Sequence, residues 1–326
     1  MKQQKLWQGF FISAGIFLLI LFRGTAAAGA RSGIQLCLQT IIPTLLPFFF
    51  LNNLLVSYLE GRKLSALRLP ARLCRMPENG EAYLIPAFLG GYPMGAAAIS
   101  EGWQSGSLSR RDAERMLGFC SNAGPAFLLG ILGPLFPELW MVWSLWAIHI
   151  ASALLTGLLL PGTPGKAAPP EHKDLNAASA MNQAIHATAA VCAWIICFQL
   201  LTSCIQKYVA GNLSLNLQVL LAGLLELTSG CCLLSLIRSI PVRYILCAGM
   251  LGFGGLCVLM QTASVTEGLS LRWYLWGKAI QSLLSMLMAA VILSEFRTVL
   301  LLLSILLAVI VLTREKSSGI SKAIAV

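Results

Sequence analysis

The sequence predicts an all-α polytopic membrane protein of two inverted repeats, each with a re-entrant helical hairpin and a broken helix. Three observations carry that expectation. Of 326 residues, 57% are hydrophobic and only 11% charged, and the mean hydropathy is +0.77, unlike a soluble domain. Apolar runs of the roughly 20 residues needed to cross a hydrocarbon core recur along the chain. Some of these runs are interrupted by Gly and Pro, which membranes tolerate only where the freed backbone is buried in protein or lines a cavity.

Residues 1–33 read as an N-terminal transmembrane helix or a signal-like segment. Lys2 and Lys5 precede an apolar run ending at Phe22, and small residues follow from Ala26 to Ala30, a pattern shared by cleavable signals and first helices. The later crossings favour a retained helix. Spanning runs are expected near 6–22, 34–58, 116–136, 139–160, 184–206, 243–263, 273–293 and 298–312. The loop from Gly61 to Arg75 carries Arg62, Lys63, Arg68, Arg72 and Arg75, and the next carries Arg110, Arg111 and Arg115. The positive-inside rule puts both in the cytoplasm. The run between them, 82–103, then has to dip in and return, turning at Gly90, Gly91, Pro93 and Gly95. Two arms of about ten residues, at 1.5 Å each, reach the bilayer midplane. The alternative is a full crossing with one basic loop misplaced.

The first repeat, 34–161, closes with a turn at Phe136, Pro137 and Glu138 and a returning helix. The Pro-rich stretch 162–183, with Lys166 and Lys173, reads as a cytoplasmic linker. A second repeat follows over 184–293, then a C-terminal helix and cytoplasmic tail over 294–326, with Arg314, Lys316 and Lys322. Met-Leu-Gly-Phe occurs at Met116 and again at Met250, and Gly95 pairs with Gly230 at nearly the same offset. Counting crossings makes the repeats inverted, so the second hairpin, 215–237, enters from outside. Arg238 and Arg243 then lie on the outer side, against the charge rule.

The formal charge of +10 is distributed between apolar runs and forms no stripe with interleaved aromatics, so nucleic acid is not an expected partner. The ten Cys show no CxxC pair, and Cys192, Cys197, Cys231, Cys232, Cys247 and Cys257 read as small buried hydrophobes rather than metal ligands. No Ser/His/Asp set, carboxylate pair or phosphate loop supports an enzyme, and no cofactor is expected. The partners are the lipid bilayer and a small-molecule substrate; the oligomeric state is not legible.

Glu226 stands alone among acids in the middle of an apolar run. A charge there costs about 2.5–3.5 kcal/mol or more, so it should be protonated, paired or bound to a cation, and a proton or sodium coupling role or substrate contact follows. It aligns with Gly91 at the turn of the other hairpin. Pro93 and Pro125 can each begin a half-helix, aiming the amides of Met94 to Ala97 and of Ala126 to Leu128 at a cavity, which suits a carboxylate. Gly91, Tyr92, Pro93, Gly95 and Gly124, which build these turns, are candidate substrate-binding residues. Ser121 and Asn122 either cap the second helix or bind substrate. Gly254 and Gly255 mark a matching break or simple helix packing, and Thr228, Ser229 and Gln261 are candidate polar contacts. His149 and His186 read as hydrogen-bonded structural residues, and Glu101 and Asp112 as solvated.

Gly-Gly-Tyr-Pro-Met-Gly-Ala from Gly90, Ser-Arg-Arg-Asp-Ala-Glu-Arg from Ser109, and Phe-Cys-Ser-Asn-Ala-Gly-Pro from Phe119 resemble the YlbJ-type sporulation integral membrane proteins. So do Gly-Leu-Leu-Glu-Leu-Thr-Ser-Gly from Gly223 and Leu-Gly-Phe-Gly-Gly-Leu-Cys-Val from Leu251. The resemblance covers about 34–295. It places the chain near the nucleoside-recognition or Gate group, similar to concentrative nucleoside transporters. It implies Gate repeats over 34–161 and 184–293, a bacterial cell membrane (the outer forespore membrane among them), and dipicolinate transport during endospore formation. A nucleoside carrier and a non-transporting scaffold in spore-envelope assembly are the alternatives. The family's hairpin continues Gly-Ala-Lys where this chain has Ala97, which either weakens the case for an anion or leaves its binding to backbone NH groups.

Overall fold

The computed structural model describes residues 2–59, 64–162 and 176–294. Among them all regular structure is helical. Among the described residues five helical runs, Arg23–Leu55, Leu139–Leu159, Ala177–Tyr208, Ile240–Val265 and Arg272–Leu293, are long and apolar enough to cross a membrane. At 1.5 Å per residue the shortest of these spans about 30 Å, the thickness of a hydrocarbon core.

The chain opens with α1 (Lys2–Leu21), bends at Phe22, and continues through α2 (Arg23–Leu36), a wide π turn and α3 (Ile42–Leu59). The boundary expected at 33/34 therefore falls inside one helical run. The small residues of α2 have a packing role: Ala26, Gly29 and Gly33 are buried, and the two glycines abut Leu200, Ser203 and Ile196, so backbones approach closely. The short α4 (Ser65–Leu73) leads to the first hairpin, whose arms are irregular turns to Gly90 and α5 (Met94–Gln104), joined through Gly91, Tyr92 and a cis Pro93.

The expected span 116–136 is not continuous. It consists of α6 (Arg110–Met116), an irregular stretch over 117–124, and a second helical piece that starts at α7 (Pro125–Phe127) and runs on through wider and tighter turns to Leu135. Pro125 has no NH to extend a ladder, and a methyl group added at Gly95 would fall on the Cys120 carbonyl oxygen. The hairpin thus packs directly on the bare backbone of the break. Asp112, expected to be solvated, is 3% exposed. It exchanges bonds with Ser109, whose hydroxyl donates to Oδ2 at 2.7 Å and accepts from the Asp112 NH at 3.1 Å, an N-terminal cap. Glu101 lies on an exposed face.

After α8 (Leu139–Leu159) the chain reappears at α9 (Ala177–Tyr208), which begins inside the stretch expected to be linker. Asn176 caps it, accepting from the Ser179 NH at 2.8 Å. The second hairpin pairs α10 (Leu215–Leu225) with α11 (Leu227–Leu234) across Glu226. A second interrupted helix follows as α12 (Ile240–Phe253) and α13 (Gly255–Val265), then α14 (Arg272–Leu293). The break needs Gly254, whose φ of +83° caps α12 in the left-handed region. The run 298–312 and the charges Arg62, Lys63, Lys166, Lys173, Arg314, Lys316 and Lys322 lie outside the described residues.

Two arginines tie the ends of the bundle. Arg115, 3% exposed, donates to the carbonyls of Cys74 at 2.7 Å and of Arg75, so the two basic loops touch. At the other end Arg243 donates to the carbonyls of Leu135 and Ile237, each at 2.6 Å, where a cation satisfies orphan helix carbonyls. His186 lies on an exposed face of α9, not in a buried hydrogen-bonded position, and Cys197 and Cys232 are exposed rather than buried.

Candidate functional site

The two hairpin tips and both interrupted helices meet around a small cavity of about 40 Å³. Its apolar wall comes from Ile41 of the π turn before α3, from Leu45 and Phe48 of α3, and from Val191 and Ile195 of α9. Gly91 and Tyr92 enter from the first tip, Gly124 from the first break, Glu226 and Thr228 from the second tip, and Gln261 from α13. Gly91 adopts φ +76° and lies so near Gly124 that a side chain on either would strike the other's backbone.

The remaining expected contacts do not face this space. Pro93 begins α5, and Gly95 is spent on the contact with Cys120. Gly255 packs on the Gly223 carbonyl, and Gly254 lies beside the Tyr92 hydroxyl. Ser121 and Asn122 do not cap the following helix: Gly124 holds that position with no side-chain cap. Asn122 instead closes the preceding turn, donating to the Phe119 carbonyl at 2.7 Å.

Glu226 is 2% exposed and caps its own half-helix. Its Oε1 accepts from the Thr228 NH at 2.8 Å, and its Oε2 from the Ser229 NH and hydroxyl, both at 2.6 Å. Gln199 of α9 contacts the same hydroxyl. The carboxylate thus sits at the positive end of α11, where its charge is stabilised. At this tip the amides of Thr228 and Ser229 are taken by Glu226. At the first tip no side chain caps α5.

Behind the first break lies a polar cluster that the sequence reading missed. Lys278 of α14 is 1% exposed and donates to the Ser121 carbonyl, to Asn122 Oδ1 at 3.3 Å and to Gln281 Oε1 at 2.8 Å. Gln281 donates to Asn122 Oδ1 at 2.9 Å, and His149 Nε2 accepts from the Ala123 NH at 3.0 Å. The hydrogen-bonded structural role expected for His149 is what it performs. Lys278 carries the same sequence signal as Glu226, a lone charge within an apolar run.

Long apolar helices, with two interrupted helices bordering one cavity, define an integral membrane protein with a candidate site inside its helical bundle. Against known proteins, the chain is 30% identical over 103 residues to the sporulation integral membrane protein YlbJ of Bacillus subtilis (strain 168). The match covers 31% of this chain and 25% of that protein, so the chain is matched over about a quarter of the relative's length. The chain is therefore similar to a YlbJ-type protein, as its motifs imply. No family model matches, and no solved structure matches.

Proposed function

We propose that the protein is a secondary transporter of a small organic anion, with dipicolinate, implied by the YlbJ-type resemblance, moved during endospore formation. The observation that carries this reading is the convergence of both hairpin tips and both interrupted helices on one cavity. Irregular backbone at membrane depth is costly unless it serves such a site. The substrate's ring would lie among Phe48, Tyr92 and Phe127, which line the cavity. The first amide of α5, that of Met94, is bonded to the Gly91 carbonyl at 2.8 Å, so a carboxylate would be met by the turn at Gly91 and Tyr92 rather than by the helix start.

Two ties support an inverted arrangement like that of the concentrative nucleoside transporters. Arg115 joins the base of the first hairpin to the end of the bundle holding Gly162, while Arg243 joins the base of the second to Leu135. The helix α8 runs between those ends, so the hairpins enter from opposite faces and alternating access follows from rocking one half on the other. Glu226 is the coupling residue in this reading, exchanging a proton or sodium ion as its cap is made and broken. No enzymatic step and no cofactor belong to it. A nucleoside is the second reading, favoured by the acid and amide side chains of Glu226 and Gln261 in the cavity wall.

Uptake of labelled dipicolinate into proteoliposomes, with a nucleoside competitor and imposed proton or sodium gradients, tests the proposal. Saturable, gradient-driven uptake that Glu226→Gln abolishes is expected. Competition by the nucleoside alone selects the second reading, and a folded, inserted protein that moves neither ligand is a scaffold.

A further inference from the structure

Lys278 lies within α14, a helix long and apolar enough to span the bilayer. Its three ammonium protons have three acceptors, the Ser121 carbonyl, Asn122 Oδ1 and Gln281 Oε1, so the surroundings fit the charged form. All three acceptors are neutral. Among the described residues no carboxylate lies within ion-pair distance of it. A buried charge solvated only by dipoles keeps a field that reaches past its immediate neighbours.

That field is directed at the cavity. The ammonium sits 5.4 Å from the centroid of the Tyr92 ring, and Tyr92 is part of the cavity wall. Ser121 and Asn122 immediately precede Ala123 and Gly124, which line the same wall. Glu226 of the second tip is held by neutral dipoles in the same way, two amides and a hydroxyl at the start of α11, so both charges act on the cavity and the contribution of Lys278 is the one that favours an anion.

We propose that Lys278 sets the preference of the cavity for anions, attracting a carboxylate-bearing substrate through space from behind Tyr92 and the first break. The inference rests on the cavity being the transport site. It makes Lys278 a positioning and selectivity residue rather than a contact residue. A negative charge seated against Tyr92 lies about 9 Å from the ammonium, where an effective dielectric near 20 makes the attraction worth roughly 20-fold in affinity.

The test compares dipicolinate with its uncharged isostere pyridine-2,6-dicarboxamide, by uptake and by ligand-induced thermal stabilisation, in wild type, Lys278→Gln and Lys278→Arg. Gln keeps donors for the buried acceptors and removes the charge; Arg keeps the charge. Lys278→Gln is expected to lose roughly 20-fold for the dianion with little change for the diamide, and Lys278→Arg to keep the dianion preference. Equal losses for both ligands, or an unchanged dianion affinity, overturn the inference and leave the transport reading standing. Should Lys278→Gln fail to fold, the wild type still decides: binding the diamide as tightly as the dianion overturns it. A folded wild type that neither takes up nor is stabilised by dipicolinate removes the transport reading and this inference together.

Discussion

The Tyr92 hydroxyl donates to the Leu251 carbonyl across 3.1 Å, joining the tip of the first hairpin to the last turn of α12. Because α12 ends at Phe253, that carbonyl is one of the four a helix leaves without an internal partner. The bond therefore couples two halves of the chain at the edge of the cavity. Tyr92→Phe is expected to destabilise the protein by about 1 kcal/mol, read as a lower melting temperature in detergent, and to change the maximal uptake rate more than the substrate's half-saturation. A melting temperature equal to wild type would mean the bond is not made.

Glu226 gives a graded series. Gln retains one acceptor oxygen for the α11 amides, whereas Ala retains none, so Glu226→Ala is expected to cost about 1–2 kcal/mol as a lost cap and Glu226→Gln less. Function should not follow that order: both variants are expected to lose gradient-driven uptake, because neither can exchange a proton or cation. A Gln variant that still concentrates substrate would move the coupling step to another residue.

How much of this was legible in the sequence depends on the kind of signal. Apolar runs fixed helices such as α8 and α14 to within a few residues, because burial in lipid demands length and composition together. Gly91, Pro125 and Gly254 announced the breaks, since each removes or redirects backbone bonding. The N-cap at Asn176 follows a Pro-rich stretch that reads as linker, so α9 begins ahead of the expected run 184–206. Tertiary partnerships were not readable: the Ser109–Asp112 cap is a local i, i+3 pattern, but nothing local says that Asp112 is buried, or that Gly95 touches Cys120 rather than a ligand. Lys278 was missed although its signal was plain, and with it the cluster behind the first break.

The ties made by Arg115 predict sidedness. In a background with the ten native cysteines replaced, single cysteines at the exposed positions Glu78 and Arg111 should react with an impermeant maleimide from one face of the membrane. A cysteine at Arg238, also exposed, should react from the other. Labelling of positions 78 and 111 from opposite faces would make the first hairpin a full crossing.

Gly277 tests the packing on which the polar cluster depends. It precedes Lys278 on α14, and a methyl group added there would fall on the Gly118 carbonyl oxygen, with the Gly118 Cα 2.6 Å away. The obstacle is backbone, so no rotamer change relieves it, and overpacking of this kind costs about 1–3 kcal/mol. Moving α14 away would also draw the Lys278 ammonium from the Ser121 carbonyl. Gly277→Ala is therefore expected to lower the melting temperature and weaken dipicolinate uptake together. Gly15→Ala, where nothing lies within 4 Å, should leave both unchanged or raise stability slightly through helix propensity. If Gly277→Ala melted with wild type while Gly15→Ala did not, the contact between α14 and the first break would have to be redrawn, and the placement of Lys278 with it.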